Sequence, residues 1–291
     1  MRRAAGDAGP VLCVLMAILV LWYAAAAALN LQWERDQAER AGRAPSLTQM
    51  LSAAMSQDRP VLPAPHQVAV EIWKTTVDKK ITSKRSLVYH SWVTLSATLL
   101  GFAMGTLLGV LLAVGIVHSR ALDLSLMPWI IASQTIPILA IAPMIIVVLN
   151  AVGISGLLPK ALISTYLSFF PVAVGMVKGL RSPDAMQMDQ MRTWSATTAQ
   201  TFWKLRLPSS MPYLFASLKV AVAASLVGAI VGELPTGAVA GLGARLLAGS
   251  YYGQTIQIWS ALVTASILAA ALVAIVGAMH RRVLRRMGAA A

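Results

Sequence analysis

The chain has 291 residues, of which 57% are hydrophobic and 12% charged, with a net charge of +13. Ordinary soluble domains carry about 25% charged residues, and here the apolar residues fall in long blocks, so a soluble domain is excluded. The basic residues flank those blocks, where anionic headgroups and the orientation rule account for them, and no nucleic-acid partner is expected.

A membrane span needs roughly 20 apolar residues. The first block, Val11 to Leu29, follows Arg2 and Arg3. It reads as a retained span; the small residues Ala24 to Ala28 leave cleavage as a signal peptide open. Cys13, the single cysteine, lies inside it and permits no disulfide within the chain. Residues 30–89 are polar, mixed in charge and marked by Pro60, Pro63 and Pro65. A helix-compatible stretch from His66 to Asp78 carries Val68, Val70, Ile72, Trp73 and Val77, which suit a helix lying along the membrane surface.

The second block, Ser91 to Val117, holds Gly101, Gly105 and Gly109, a flat stripe for close helix packing. The third, Met127 to Leu149, is broken by Pro137 and Pro143, and the fourth, Leu157 to Val177, contains Pro171. Proline frees backbone carbonyls, which a bilayer tolerates only where protein or a cavity covers them. The third helix is therefore expected to face protein or a pathway, with Gln134, Thr135 and Pro137 as pathway candidates. Interhelical hydrogen bonding by Gln134 and Thr135 is the alternative. Residues 178–212 are the main polar stretch of the second half.

The fifth block, Tyr213 to Leu234, reaches Glu233, the only acid deep in the second half's hydrophobic pattern. Intramembrane acids are costly and often functional, so Glu233 joins the pathway candidates. Pro235 follows it, which sets beside that reading an interfacial cap or packing contact at the outer end. Lys219 is expected to snorkel to the inner headgroups. The segments Pro235-Thr236-Gly237 and Gly241-Leu242-Gly243 predict an irregular outer connection, and Tyr251 and Tyr252 suit an interfacial belt. The sixth block, Ile256 to Met279, runs into the basic tail from His280 to Arg286.

The expected fold class is all-α, a polytopic transmembrane helical bundle of about six spans. Its domains are residues 1–30, an N-terminal stub and first span; 31–89, an extracytoplasmic segment with an interfacial helix; 90–280, a five-helix core with a cytoplasmic loop at 181–212; and 281–291, a basic tail. Six spans put both termini on one side. Lys and Arg in the N-terminus, residues 118–126, residues 178–212 and the tail favour the cytoplasm. The nine Lys and Arg of residues 30–89 run against that rule.

Catalytic signatures are absent from the sequence. There is no phosphate-cradling Gly-x-x-x-x-Gly-Lys loop, no His-Glu-x-x-His pair and no Gly-x-Ser-x-Gly elbow, and the histidines are scattered at 66, 90, 118 and 280. No catalytic residue, metal or cofactor is expected.

The informative stretch is Asp189-Gln190-Met191-Arg192-Thr193-Trp194-Ser195, followed by Leu205-Arg206-Leu207-Pro208. It resembles the EAA loop of ABC importer permeases: Glu-Ala-Ala, three residues, Gly, nine residues, an aliphatic, one residue, Leu-Pro. Asp189 stands for the Glu, Ser195 for the Gly and Leu205 for the aliphatic, with Leu207-Pro208 in register. Gln190 and Met191 replace the alanines. The resemblance extends to Leu62-Pro63-Ala64-Pro65, to Ile136-Pro137 through Ala142-Pro143, to Pro208 through Pro212 and Leu218-Lys219-Val220-Ala221, and to Glu233. Over residues 60–280 the chain is similar to binding-protein-dependent ABC importer permeases of the nitrate/sulfonate/taurine type, which have a MetI-like transmembrane domain.

That resemblance implies a transport subunit of the bacterial inner membrane with no bond chemistry of its own. Two such permeases, alike or different, would enclose one pathway. Two copies of an ABC ATPase subunit and an extracytoplasmic substrate-binding protein would complete the assembly, set in membrane lipid. Ser195 to Phe202 is expected to form a short cytoplasmic helix, presenting Trp194, Phe202 and Trp203 beside Arg192, Lys204 and Arg206. An aromatic anchor with a basic rim suits a protein interface, and Asp189, Ala196, Leu205, Leu207 and Pro208 complete the coupling loop. A helix resting on the membrane is the alternative. The resemblance implies a small solute: a sulfonate, nitrate or taurine, or a pyrimidine- or flavin-type heterocycle. A secondary carrier is the other function class, but it would need intramembrane charges that are scarce here.

Overall fold

The computed structural model describes residues 2–42, 46–235 and 239–288; the expectations at Thr236 and Gly237 and for the last three residues of the tail lie outside them. Among the described residues there are helices and no strands. The chain divides into two compact units: residues 1–90 with 245–264, and residues 91–244 with 265–291.

In the first unit, α1 runs from Arg2 to Arg40, past the expected span end at residue 30. The reason lies at Asn30, which is fully buried. Its amide donates to the carbonyls of Ala54 (3.2 Å) and Leu62 (2.9 Å) and accepts from the Leu62 N–H (3.2 Å). The polar half of α1 is thus held against α2 (Leu47–Ser56), a helix the sequence reading did not anticipate. Ser46 starts α2 through a capping box with Gln49.

Next comes α3 (Pro65–Thr76), with Pro65 at the first helical position and Gln67 reaching back to the Ala64 N–H at 2.9 Å. Two later helices contribute to this unit: α11 (Leu242–Tyr251) from Arg245 onward, and the beginning of α12 (Thr255–Arg286). Trp22 donates to the Pro63 carbonyl at 3.0 Å and stacks at a tilt on Trp259, while Thr255 donates to the Pro60 carbonyl at 2.6 Å.

The second unit is built on α4 (Leu87–His118), α7 (Leu157–Leu180), α10 (Leu207–Gly232) and the rest of α12. The glycine stripe of α4 does pack a helix. A Cβ on Gly101 would fall 2.2 Å from Ser164 Cβ, and one on Gly109 would fall 2.8 Å from the Phe169 carbonyl oxygen. Buried hydroxyls then stitch the close-packed backbones: Ser164 donates to the Ser225 carbonyl and Ser225 to the Thr98 carbonyl, each at 2.8 Å. In membranes such bonds contribute about 0.6 kcal/mol each on average.

Helix directions follow from these contacts. Gly101, Gly105 and Gly109 meet Ser164, Ser168 and Val172 in ascending order, so α4 and α7 run parallel. The chain between them must recross, and α5 (Arg120–Ser133) and α6 (Ile138–Ala151) carry it. Asp123, in the first turn of α5, pairs with Arg181 beyond the end of α7 at 2.8 Å. Ser133, at the end of α5, accepts from the Tyr166 hydroxyl midway along α7, and Ala142 of α6 packs with Ile163 near its start. The two helices meet at 99°, and it is their contacts along α7 that make them one broken span; among the described residues, five other helices are long and apolar enough to cross a membrane. Running antiparallel to α7, α10 brings Gly228 onto Ser164 and Ser210 onto Gly179. In turn α12 runs antiparallel to α10, with His280 stacked on Phe215 at 5.2 Å. The tail is no separate segment up to Arg286, because α12 continues through it.

Candidate functional site

The loop at 181–212 differs from its expected form. Its short helix is α8 (Ala185–Thr193), which precedes Ser195. Asp184 caps the N-terminus by accepting from the Gln187 N–H at 2.7 Å. At the other end Ser195 lies at φ 52°, in the left-handed region. Its N–H donates to the Arg192 carbonyl at 2.8 Å, and the Ala196 N–H donates to the Met191 carbonyl at 3.0 Å. This pair of bonds is a Schellman motif, whose left-handed residue is usually glycine. The glycine of the EAA pattern and Ser195 therefore occupy a position set by backbone conformation, and a helix from Ser195 to Phe202 is not what forms.

After the cap, Thr197 accepts from the Gln200 N–H at 3.2 Å and starts α9 (Thr198–Thr201). A π-turn, Phe202–Arg206, leads straight into α10, so Thr198–Gly232 is one continuous helix that begins well before Tyr213. The Leu207 N–H bonds the Phe202 carbonyl, five residues back. That widening falls where a regular helix would drive the Pro208 ring against the Lys204 carbonyl. The Leu-Pro of the motif is thus a geometric device as well as a signature.

The loop's side chains separate into two sets. Phe202 and Leu207 are partly buried and pack against Ile116, Met176, Val177 and Leu180, and His118 meets the Phe202 ring edge at 5.3 Å. The expectation that Phe202 would be presented outward is therefore corrected: it anchors the loop. Trp194 (67% exposed) and Trp203 (65%) do face outward. Leu205, Lys204, Trp194, Ala196, Gln190 and Met191 are among the residues lining a groove of about 430 Å³ between α8 and the π-turn. Asp189 and Arg192 form an exposed pair at 2.8 Å.

Gln134, Thr135 and Pro137 come together at the break of the third span. Gln134 ends α5 and Pro137 opens α6, while Pro143 is absorbed within α6. All three break residues are exposed. The Gln134 amide donates to Ser133 Oγ at 3.3 Å and the Thr135 hydroxyl to the Ala132 carbonyl at 2.8 Å, so both bond within their own turn rather than between helices.

Glu233 lies apart from that break. It is fully buried at the C-terminus of α10. The Thr94 hydroxyl donates to its carboxylate at 2.9 Å, and the Gly243 N–H donates at 2.9 Å. Thr94 Oγ1 in turn accepts from the Leu242 N–H at 2.9 Å. Lys160 Nζ stands 3.8 Å from the carboxylate and donates to the Ala240 carbonyl at 3.1 Å. The carboxylate thus joins the ends of α4, α7, α10 and α11, which is the packing alternative of the sequence reading. Thr94 and Lys160 were missed as its partners. A single threonine in an apolar helix carries no sequence signal, whereas Gly241 and Gly243, read in the sequence only as an irregular outer connection, sit at a close approach: a Cβ on Gly241 would fall 2.1 Å from the Glu233 carboxyl carbon.

Comparison with known proteins covers the broken span, the loop and this carboxylate together. Residues 105–289 match the family described as binding-protein-dependent transport system inner membrane component. The formylaminopyrimidine transport permease protein of Halalkalibacterium halodurans is 32% identical over 193 residues, spanning 66% of this chain and 72% of that protein. The riboflavin transport system permease protein of Chloroflexus aurantiacus is 31% identical over 225 residues, 77% and 80% of the two chains. A putative aliphatic sulfonates transport permease protein of Bacillus subtilis is 23% identical over 225 residues, 77% and 78% of the two. With the loop in register, the helices of a multi-pass inner-membrane protein in place and the match running through both, the chain belongs to the binding-protein-dependent transport system inner membrane components, the permeases of ABC importers.

Proposed function

We propose that this permease couples to a separate ABC ATPase through residues 189–208. The supporting observation is the outward pair Trp194 and Trp203 flanking a groove, in a loop shaped by the Schellman cap and the packed Phe202. Asp189, Arg192, Ser195, Ala196, Leu205, Leu207 and Pro208 shape that surface. ATP binding and hydrolysis occur in two copies of the partner, and the π-turn transmits loop movement directly into α10. A second permease and an extracytoplasmic binding protein complete the importer, with both termini and the loop in the cytoplasm. Residues 31–89 lie on the outer side, and 90–280 form the core.

The pathway runs past the break at Gln134, Thr135 and Pro137. Exposed irregular backbone at mid-depth needs a second protein surface or a wet cavity to cover it, and a second permease supplies both. Residues 124–159 carry no ionisable side chain. An anion in a dry passage needs a compensating cation, so this wall fits a neutral heterocycle better than nitrate or a sulfonate. The named solutes of two relatives above 30% identity, formylaminopyrimidine and riboflavin, are of that class. Glu233 acts as a staple beside the pathway rather than as a substrate contact.

Co-expression of the permease with its ATPase tests the coupling. Trp194→Ala and Trp203→Ala together are expected to leave insertion normal and to abolish ATPase co-purification. Recovery of both subunits at the wild-type ratio overturns the docking role and leaves a membrane-resting loop.

A further inference from the structure

We infer that α3 and the segment after it, Pro65 to Arg85, form a binding surface for anionic phospholipid headgroups. One face of α3 is used internally: Val68 and Thr75 are buried. The opposite face is not. Val70 (48% exposed), Trp73 (64%), Val77 (58%) and, beyond the helix, Ile81 (66%) stand outward. Spacings of three and four residues place Val70, Trp73 and Val77 in one stripe.

Around that stripe lie Lys74, Lys79, Lys80, Lys84 and Arg85, all exposed, against the single exposed acid Asp78. None of the four lysines forms an ion pair among the described residues. The nearby acid Glu71 is already engaged by Arg245 at 3.9 Å.

Both ends of the segment are held against helices long and apolar enough to span, so it cannot project far from the bilayer. At its start His66 stacks on Tyr23 of α1, one residue from Trp22, which reaches Trp259 at the beginning of α12. At its end Ser86 and Leu87 are fully buried where α4 begins. There the Lys84 carbonyl lies 2.9 Å from His90 Nε2, and the Arg85 carbonyl accepts from Arg245 at 3.0 Å. An apolar stripe with an aromatic residue and flanking lysines, tethered between two spans, has the chemistry of an interfacial anchor. Lysines near an anionic surface contribute to binding, where neutral headgroups would leave four unpaired charges without a counter-ion. The inference also accounts for the basic residues of this segment, which the orientation rule leaves unexplained on the outer side. It rests on α1 and α4 crossing a membrane and not on which side the segment lies.

The test uses the full chain in nanodiscs of phosphatidylcholine with one third phosphatidylglycerol, brominating one lipid at a time. The Trp73 contribution is the fluorescence difference between wild type and Trp73→Phe, needed because the chain has 8 tryptophans. Both brominated lipids are expected to quench it, the anionic one more strongly, reflecting local enrichment of up to about fivefold for a lysine contact. The quadruple change of Lys74, Lys79, Lys80 and Lys84 to Gln removes the excess, and the same four changed to Arg retain it. A Trp73 component that neither brominated lipid quenches places this face against protein, a second permease or a binding protein, and overturns the inference. Equal quenching by the two lipids in the wild type overturns it as well, since the contact would then be apolar without selection for anions.

Discussion

Replacing Ser195 by glycine removes a Cβ from the left-handed position that ends α8, where φ is 52°. A residue with a Cβ in that region costs about 1–2 kcal/mol. Glycine returns about 0.5–1 kcal/mol of this through its larger unfolded-state entropy. The net expectation is that Ser195→Gly stabilises the loop by about 0.5–1 kcal/mol. The bonds at stake are those from the Ser195 and Ala196 amides to Arg192 and Met191. Hydrogen exchange of the peptide containing these amides, in nanodiscs, reads the opening of the cap. Exchange should slow about two- to fivefold in Ser195→Gly. Ser195→Val puts a β-branched residue in the same region, where it is a genuine outlier, and should accelerate exchange. The opposite pattern for glycine refutes the reasoning, because a helix running through Ser195 would be weakened by glycine by about 1 kcal/mol relative to alanine.

Phe202→Ala is expected to lower the thermal midpoint of the solubilised permease, costing roughly 2 kcal/mol of packing against Met176 and Leu180. Trp203→Ala leaves that midpoint nearly unchanged but weakens ATPase binding about thirtyfold, as expected for an interface hot spot of about 2 kcal/mol. Gly241→Ala forces a Cβ onto the Glu233 carboxylate at φ 125° and should reduce folded yield, whereas Gly253→Ala, also at positive φ but with nothing within 4 Å, should be far milder; equal yields would remove the staple from the account. Gln134→Leu should impair uptake while leaving assembly intact, and unchanged uptake kinetics across several apolar replacements at Gln134 and Thr135 would end their pathway role. Cysteines at Ser182 and Ser46 should be labelled from opposite sides of the membrane, Ser182 only after permeabilisation.

How much was legible beforehand depends on whether the signal was local. Block length and apolarity determine α4, α7, α10 and α12, because a bilayer demands about 20 apolar residues whatever their neighbours. The glycine stripe of α4 declared a close helix contact, since only a missing Cβ allows that approach. The loop's register was legible too, but its shape was not. Ser195 looks helix-compatible in isolation, and only the bonds from Ala196 and Ser195 back into α8 reveal a cap. Phe202 and Trp203 are equally aromatic in sequence, and it takes the cluster around Met176 and Leu180 to turn one inward and leave the other out. Pro137 announced a disturbance, yet the size of the break, 99°, shows only in the folded arrangement of α5 and α6, and the need to recross comes from α4 and α7 being parallel. Likewise α1 extends to Arg40 because Asn30 finds partners at Ala54 and Leu62, more than twenty residues away. Glu233 makes the same point most sharply. Composition flags a costly buried acid, but its partners Thr94, Lys160 and Gly243 are brought to it from three other helices by tertiary packing alone.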